Sequence, residues 1–211
     1  MSGSFPQEGT GHMETATSSD SCKATRRVSV EEFVSGLRKL CEADFTETAG
    51  PLQYLRANPV DAESLQPYLF WNAQHYTRNL IDKTDLYELL AICWEVGMRS
   101  SIHNHKGQNC WMAAPIGRLA VQNYRVISED LATQCCEIVP ADVVEITPAK
   151  PAAVDPRNPV HDVRNCREWG ERAVSLHVYS RPFDSCIVYS VEQGTCGEIG
   201  LNYTSIDGKL V

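Results

Sequence analysis

The chain of 211 residues carries 27 acidic against 19 basic side chains, a formal net charge of −8. That balance argues against binding nucleic acid or an anionic membrane surface, both of which need clustered positive charge. Hydrophobic residues make up 43% and charged residues 22%, which suits one globular core, and no apolar run approaches a membrane span.

The opening MSGSFPQEGTGHMETATSSDS has neither a basic leader nor an apolar stretch, so a cytoplasmic location is expected. Residues 1–25 are rich in Ser, Thr and Gly without periodicity; a disordered tail is expected there, with His12 inside it, and a single domain over 26–211. Nine cysteines are scattered with no CxxC pair, which argues against a zinc ribbon and for reduced thiols packed as small apolar residues. Ser29 ahead of Val30, with Glu32 three residues on, reads as an N-cap and capping box. Val30, Phe33, Val34, Leu37, Leu40 and Cys41 then form a stripe at helical spacing. A second short helix is expected over 60–70.

From about residue 75 the pattern becomes short β-rich segments separated by Gly, Pro, Asn and Asp. Many short strands after a helical start predict a mainly β fold, an antiparallel jelly roll or barrel preceded by two or three helices. Within it, Ser101, His103 and His105 alternate and would share one strand face. Two imidazoles so placed are either a metal-binding pair or two surface histidines. His161, in a turn-rich entry to a later strand, is a third candidate ligand.

The spacing of Gly97, His103, His105 and Gly117, followed by Pro156, His161 and Asn165, resembles the two motifs of the cupins. Asn158 stands where the second motif has Gly, and Asn tolerates a left-handed backbone. Cys110 stands where the first motif has a Glu ligand. Three neutral imidazoles without a carboxylate leave a metal its full charge, favour an anionic ligand such as a thiolate, and keep coordination positions open. Oxygen chemistry at such a site favours Fe(II), although the donors also suit zinc, nickel or copper.

Further segments resemble the cysteine dioxygenases. They are Tyr76-Thr77-Arg78-Asn79, Cys93-Trp94, Ser100 to His105 with Asn104 for Asp, and Ser175 to Asp184 with Arg181 for Pro. The resemblance covers about 75–186; the loop at 128–160 and the C-terminal segment match poorly. It implies a monomeric enzyme that uses Fe(II) and O2 to oxidise L-cysteine to cysteine sulfinic acid. His103, His105 and His161 would be the metal ligands, and Arg78 with Tyr76 would bind the substrate carboxylate. Cys110 and Tyr179 would be joined by a thioether, and His177 and Ser175 would support the Tyr179 hydroxyl. Trp94, Cys93 and Cys186 are expected around the pocket, whereas His75 and Asn109 receive no role. Two other readings remain at this stage: a dioxygenase for 3-mercaptopropionate, which Arg78 disfavours, and a non-catalytic cupin that binds a metal or small molecule. A zinc isomerase would normally want the missing carboxylate.

Overall fold

The first helix is set by its cap. In a computed structural model, which describes residues 26–211, Ser29 Oγ accepts from the Glu32 N–H and Glu32 returns its carboxylate to the Ser29 N–H. The expected tail, with His12, lies outside the described residues. Helix α1 (Val30–Leu37) buries Val30, Phe33 and Leu37, while Cys41 of the expected stripe is exposed beyond its end. Two further helices, α2 (Glu42–Thr46) and α3 (Ala49–Ala57), follow. The helix expected over 60–70 is a 3-10 helix, Glu63–Tyr68, with Pro67 inside it.

Thirteen strands complete the described chain. They are β1 (Thr77–Lys83), β2 (Tyr87–Trp94), β3 (Ile102–His103), β4 (Cys110–Ile116), β5 (Leu119–Asp130), β6 (Cys135–Ile146) and β7 (Ala152–Ala153). Then come β8 (Val160–Arg164), β9 (Ala173–Ser180), β10 (Ser185–Ser190), β11 (Thr195–Gly200), β12 (Ser205–Ile206) and β13 (Lys209–Leu210). One sheet runs β13-β12-β1-β2-β9-β4-β7, and the other six strands close as β10-β11-β6-β5-β8-β3. Neighbours pair antiparallel except β12 on β1. This is the expected jelly roll of the cupin class behind three α-helices. The poorly matching stretch at 128–160 is no loop throughout, since the β5–β6 hairpin occupies much of it.

Strand alternation sorts the seven-stranded sheet into two faces. Tyr87, Leu89, Ala91 and Cys93 of β2, Trp111 of β4, and Val174, Leu176 and Val178 of β9 pack against Phe33, Leu37, Phe45 and Leu55 of the helices. Leu90, Ile92, Trp94, Cys110, Met112 and Tyr179 face the interior between the sheets. Burying a side chain the size of Leu89 or Leu176 stabilises the fold by about 1.5–3 kcal/mol. The helices therefore close the outer face and leave the inner one for chemistry. Cys93 thus points away from the pocket, contrary to expectation, because it neighbours Trp94 in an alternating strand.

The two motif glycines have conformational reasons. Gly97 and Gly117 have φ of +83° and +66°, and a Cβ on Gly117 would lie 2.7 Å from the Arg172 carbonyl oxygen. Asn158 does not adopt the left-handed backbone its position suggested; it closes a turn by donating its N–H to the Asp155 carbonyl at 3.0 Å. Arg181, by contrast, has φ +59° and donates its N–H to the Leu86 carbonyl at 2.7 Å. Proline could do neither, which explains Arg in place of Pro at this turn.

Candidate functional site

The three histidines converge. His103 of β3 pairs directly with His161 of β8, and His105 follows β3 before a turn through Lys106 and Gly107, both left-handed. One ring nitrogen from each lies within 4.8 Å of the others. His103 Nδ1 meets the Ser101 carbonyl at 2.9 Å and His161 Nδ1 the Pro159 carbonyl at 3.2 Å. A carbonyl only accepts, so both Nδ1 atoms carry the proton and both Nε2 lone pairs remain free. His161 Nε2 and both nitrogens of His105 are buried without a partner.

Burial holds all three imidazoles neutral. It lowers His103, lowers His105 well below its ordinary value with help from His161 and His103, and takes His161 down to about 3. Unpaired buried lone pairs carry a desolvation cost. A shared divalent cation would satisfy them, so the donor set fits a metal.

Ser175, His177 and Tyr179 of β9 are buried on the same inward face, which removes the alternative that they form a solvent face. They form a chain. Trp94 Nε1 donates to Ser175 Oγ at 2.9 Å, Ser175 Oγ lies 2.8 Å from His177 Nε2, and His177 Nδ1 lies 3.0 Å from the Tyr179 hydroxyl. Burial, then the neighbouring His161 and the Arg78 charge, keeps His177 far below its usual value. Burial and the neighbouring Cys110 push the Tyr179 phenol well up, and burial raises the Cys110 thiol. Cys110 sits directly opposite Tyr179 in the β4–β9 pairing. The Tyr179 ring in turn stands 5.1 Å from that of His105.

Arg78 and Tyr76 reach the same cavity. The cavity is small, about 30 Å³, and is lined by these two, His103, His105, Tyr179 and Cys186, among others. Tyr76 stacks on Trp94 at 4.8 Å, and Arg78 presents Nε and Nη2 buried without hydrogen-bond partners. Asn109 faces away, donating to the Phe45 and Thr46 carbonyls of α2, and His75 is exposed. Asn104, where the motif has Asp, donates to the Tyr189 hydroxyl at 2.9 Å. That hydroxyl donates onward to Glu129 at 2.7 Å, so Tyr189 needs a donor, not a second carboxylate.

Two lining residues, and one acid behind Arg78, carried no assigned role in the sequence. Phe183 packs edge-on to Tyr179 at 5.0 Å, and Leu201 adds an apolar wall. Glu88, fully buried in β2, lies 3.9 Å from Arg78 and accepts the Tyr203 hydroxyl. A lone acid in the apolar run YELLAICW is a signal that could have found Glu88. Tyr203 leaves no such mark.

Comparison with known proteins follows the geometry. The family model described as "Cysteine dioxygenase type I" matches residues 13–192. "Cysteine dioxygenase type 1" of Rattus norvegicus is 26% identical over 165 residues, covering 78% of each chain. That of Danio rerio is 25% identical over 184 residues, covering 85% of this chain and 88% of the relative. Among solved structures, TT1209 from Thermus thermophilus aligns at 19% identity and TM-score 0.41, over 56% of this chain and 93% of its own. A cupin-superfamily sugar phosphate isomerase from Silicibacter pomeroyi aligns at 15% identity and TM-score 0.38, over 64% of this chain and 80% of its own. With a family match over most of its length, this chain belongs to the cysteine dioxygenase type I family.

Proposed function

We propose that this chain oxidises L-cysteine to cysteine sulfinic acid, with Fe(II) at His103, His105 and His161. The observation that carries the reading is the meeting of His103, His105, the Arg78 guanidinium and the Tyr179 phenol around one small cavity, with His161 clustered against the two histidines. Fe(II) held there would supply the redox change and the open positions that thiol and dioxygen need. Both oxygen atoms end on sulfur, so RSH and O2 balance to RSO2H and no external reductant is required.

The protein's own groups supply position and polarity. Arg78 offers two N–H donors to the substrate carboxylate in the fork geometry that a carboxylate matches, with Tyr76 alongside. The carboxylate distinguishes both cysteine and 3-mercaptopropionate from simple thiols, so the Arg78 clamp selects carboxylate-bearing thiols. The amine that cysteine alone carries would be its further ligand at an open metal position and favours cysteine. Tyr179 keeps its proton, because burial and Cys110 oppose the phenolate. When Ser175 donates to His177 Nε2, His177 Nδ1–H donates to the phenol oxygen and leaves the Tyr179 proton free for a substrate in the cavity. The Cys110–Tyr179 register supports a thioether between them, which would fix the phenol against rotation.

Sulfinate production from L-cysteine and from 3-mercaptopropionate, measured with Fe(II)-loaded protein, tests the reading. Preferred turnover of cysteine with matched O2 consumption is the expected result. A strong preference for 3-mercaptopropionate overturns the substrate, and no oxygen uptake with either thiol favours a binding cupin.

A further inference from the structure

Glu88 places a carboxyl group on an apolar strand face. Its inward neighbours along β2 are Leu90, Ile92 and Trp94, and none of its surface meets solvent. A carboxylate persists in such a place only when its charge and lone pairs find partners. One oxygen accepts the Tyr203 hydroxyl; the other has no hydrogen bond and stands 3.9 Å from Arg78 Nη2. That gap is too long for a hydrogen bond and short enough for strong attraction. The guanidinium is therefore charge-compensated while its Nε and Nη2 donors stay free.

Tyr203 lies beyond residue 192, where the family match ends. Its segment is fastened to the backbone of Arg78 itself. The Thr204 N–H donates to the Arg78 carbonyl at 2.7 Å, and the Arg78 N–H donates to Thr204 Oγ1 at 3.2 Å. Strand β12 then pairs with β1 through Asn79 and Leu80, and Lys83 donates to the Tyr203 hydroxyl at 3.3 Å. One short stretch of chain thus holds both the backbone of Arg78 and its counter-ion.

We propose that Glu88, oriented by Tyr203, is a positioning residue that holds the Arg78 fork toward the carboxylate of the substrate and so sets the affinity for carboxylate-bearing thiols. The proposal rests on Arg78 as the carboxylate clamp. Without the Glu88 charge, a buried guanidinium gains by turning toward the cavity mouth and water.

The test compares Fe(II)-loaded wild type, Glu88→Gln, Tyr203→Phe, Arg78→Ala and Arg78→Ala/Glu88→Gln. Glu88→Gln is isosteric and keeps an acceptor for Tyr203. It should raise the KM for L-cysteine about tenfold with kcat within about twofold, and Tyr203→Phe should raise KM by about threefold. In the Arg78→Ala background the Glu88 change should add nothing, because its effect passes through Arg78. The Arg78 Nε–H resonance, assigned by its loss in Arg78→Ala, should shift and exchange faster with water in Glu88→Gln. An unchanged KM, an equal effect in both backgrounds, or an unmoved resonance each overturns the proposal. If Arg78→Ala leaves KM unaltered, the clamp reading fails instead, and the resonance alone then decides whether Glu88 orders the guanidinium. Should Glu88→Gln fail to fold, Tyr203→Phe with the same two readouts carries the test.

Discussion

Replacing Arg78 by Lys keeps one positive charge beside Glu88 and removes the fork. Arg78 lines the cavity and leaves two donors, Nε and Nη2, without a hydrogen-bond partner, and a carboxylate can take both at once. The lysine ammonium is a point charge on a flexible stem and replaces at most one of those bonds in the same geometry. Loss of one charge-assisted hydrogen bond is worth about 1.5–3 kcal/mol. At about 1.4 kcal/mol per tenfold, kcat/KM for L-cysteine should fall roughly 10- to 150-fold. The bond to the carboxylate is made alike before and during the reaction, so the loss should appear in KM rather than kcat. Steady-state sulfinate formation and oxygen uptake read both constants, with metal content checked for parity. A thiol amine without a carboxylate should show no penalty. If Arg78→Lys keeps the wild-type KM, or loses as much on the carboxylate-free thiol, the clamp argument is refuted.

Removing a ligand ring, His161→Ala, should cut Fe(II) retained after desalting by at least roughly tenfold, and the metal-induced rise in Tm seen for wild type should vanish; an unchanged metal content would refute the site. Peptide mapping after aerobic incubation with iron and cysteine should find a missing pair of hydrogens between the Cys110 and Tyr179 peptides, absent from Cys110→Ser; two separate unmodified peptides would refute the crosslink. Asp82 carries a pH prediction outside the site. Burial raises its carboxyl, but hydrogen bonds from Arg38 and Tyr87 more than offset this and hold it below the usual range. A depressed folded pKa contributes stability above the unfolded value of about 3.9 and loses it as pH falls through the folded one. Asp82→Asn should therefore be less stable than wild type in urea at neutral pH, with the gap closing below about pH 4. A gap independent of pH would refute the assignment.

The residues legible from sequence are those whose placement follows from one strand. Ser175, His177 and Tyr179 share a face because β9 alternates, and that needs no partner strand. The same rule misplaced Cys93 only because Cys93 and Trp94 were read as a unit, although adjacent strand residues face opposite ways. His103 ends β3, yet the Asn104 N–H still donates to the Ile187 carbonyl at 3.1 Å, so the alternation carries on to His105 before the turn through Lys106 and Gly107 begins. Helix α3 hid because Gly50 weakens its first turn and no side chain caps it; burial of Pro51 and Leu55 supplies what local propensity lacks.

What stayed illegible depends on register between strands distant in sequence. Glu88 pairs with Tyr179 on one side and Lys83 on the other, and β1 carries an irregularity between Leu80 and Asp82. A shift of one residue there would turn Arg78 outward, away from Glu88 and the histidines. The closing β12 strand bears on that register, since it pairs with Asn79 and Leu80 beside the irregularity while Thr204 holds both backbone groups of Arg78. The three histidines and the phenol can be read from motifs because each is local. The proposed clamp is a property of three segments at once, and the poorly matching C-terminal stretch is one of them. Its divergence in sequence therefore bears on how Arg78 is held, while the histidine end of the cavity matches the family's motifs.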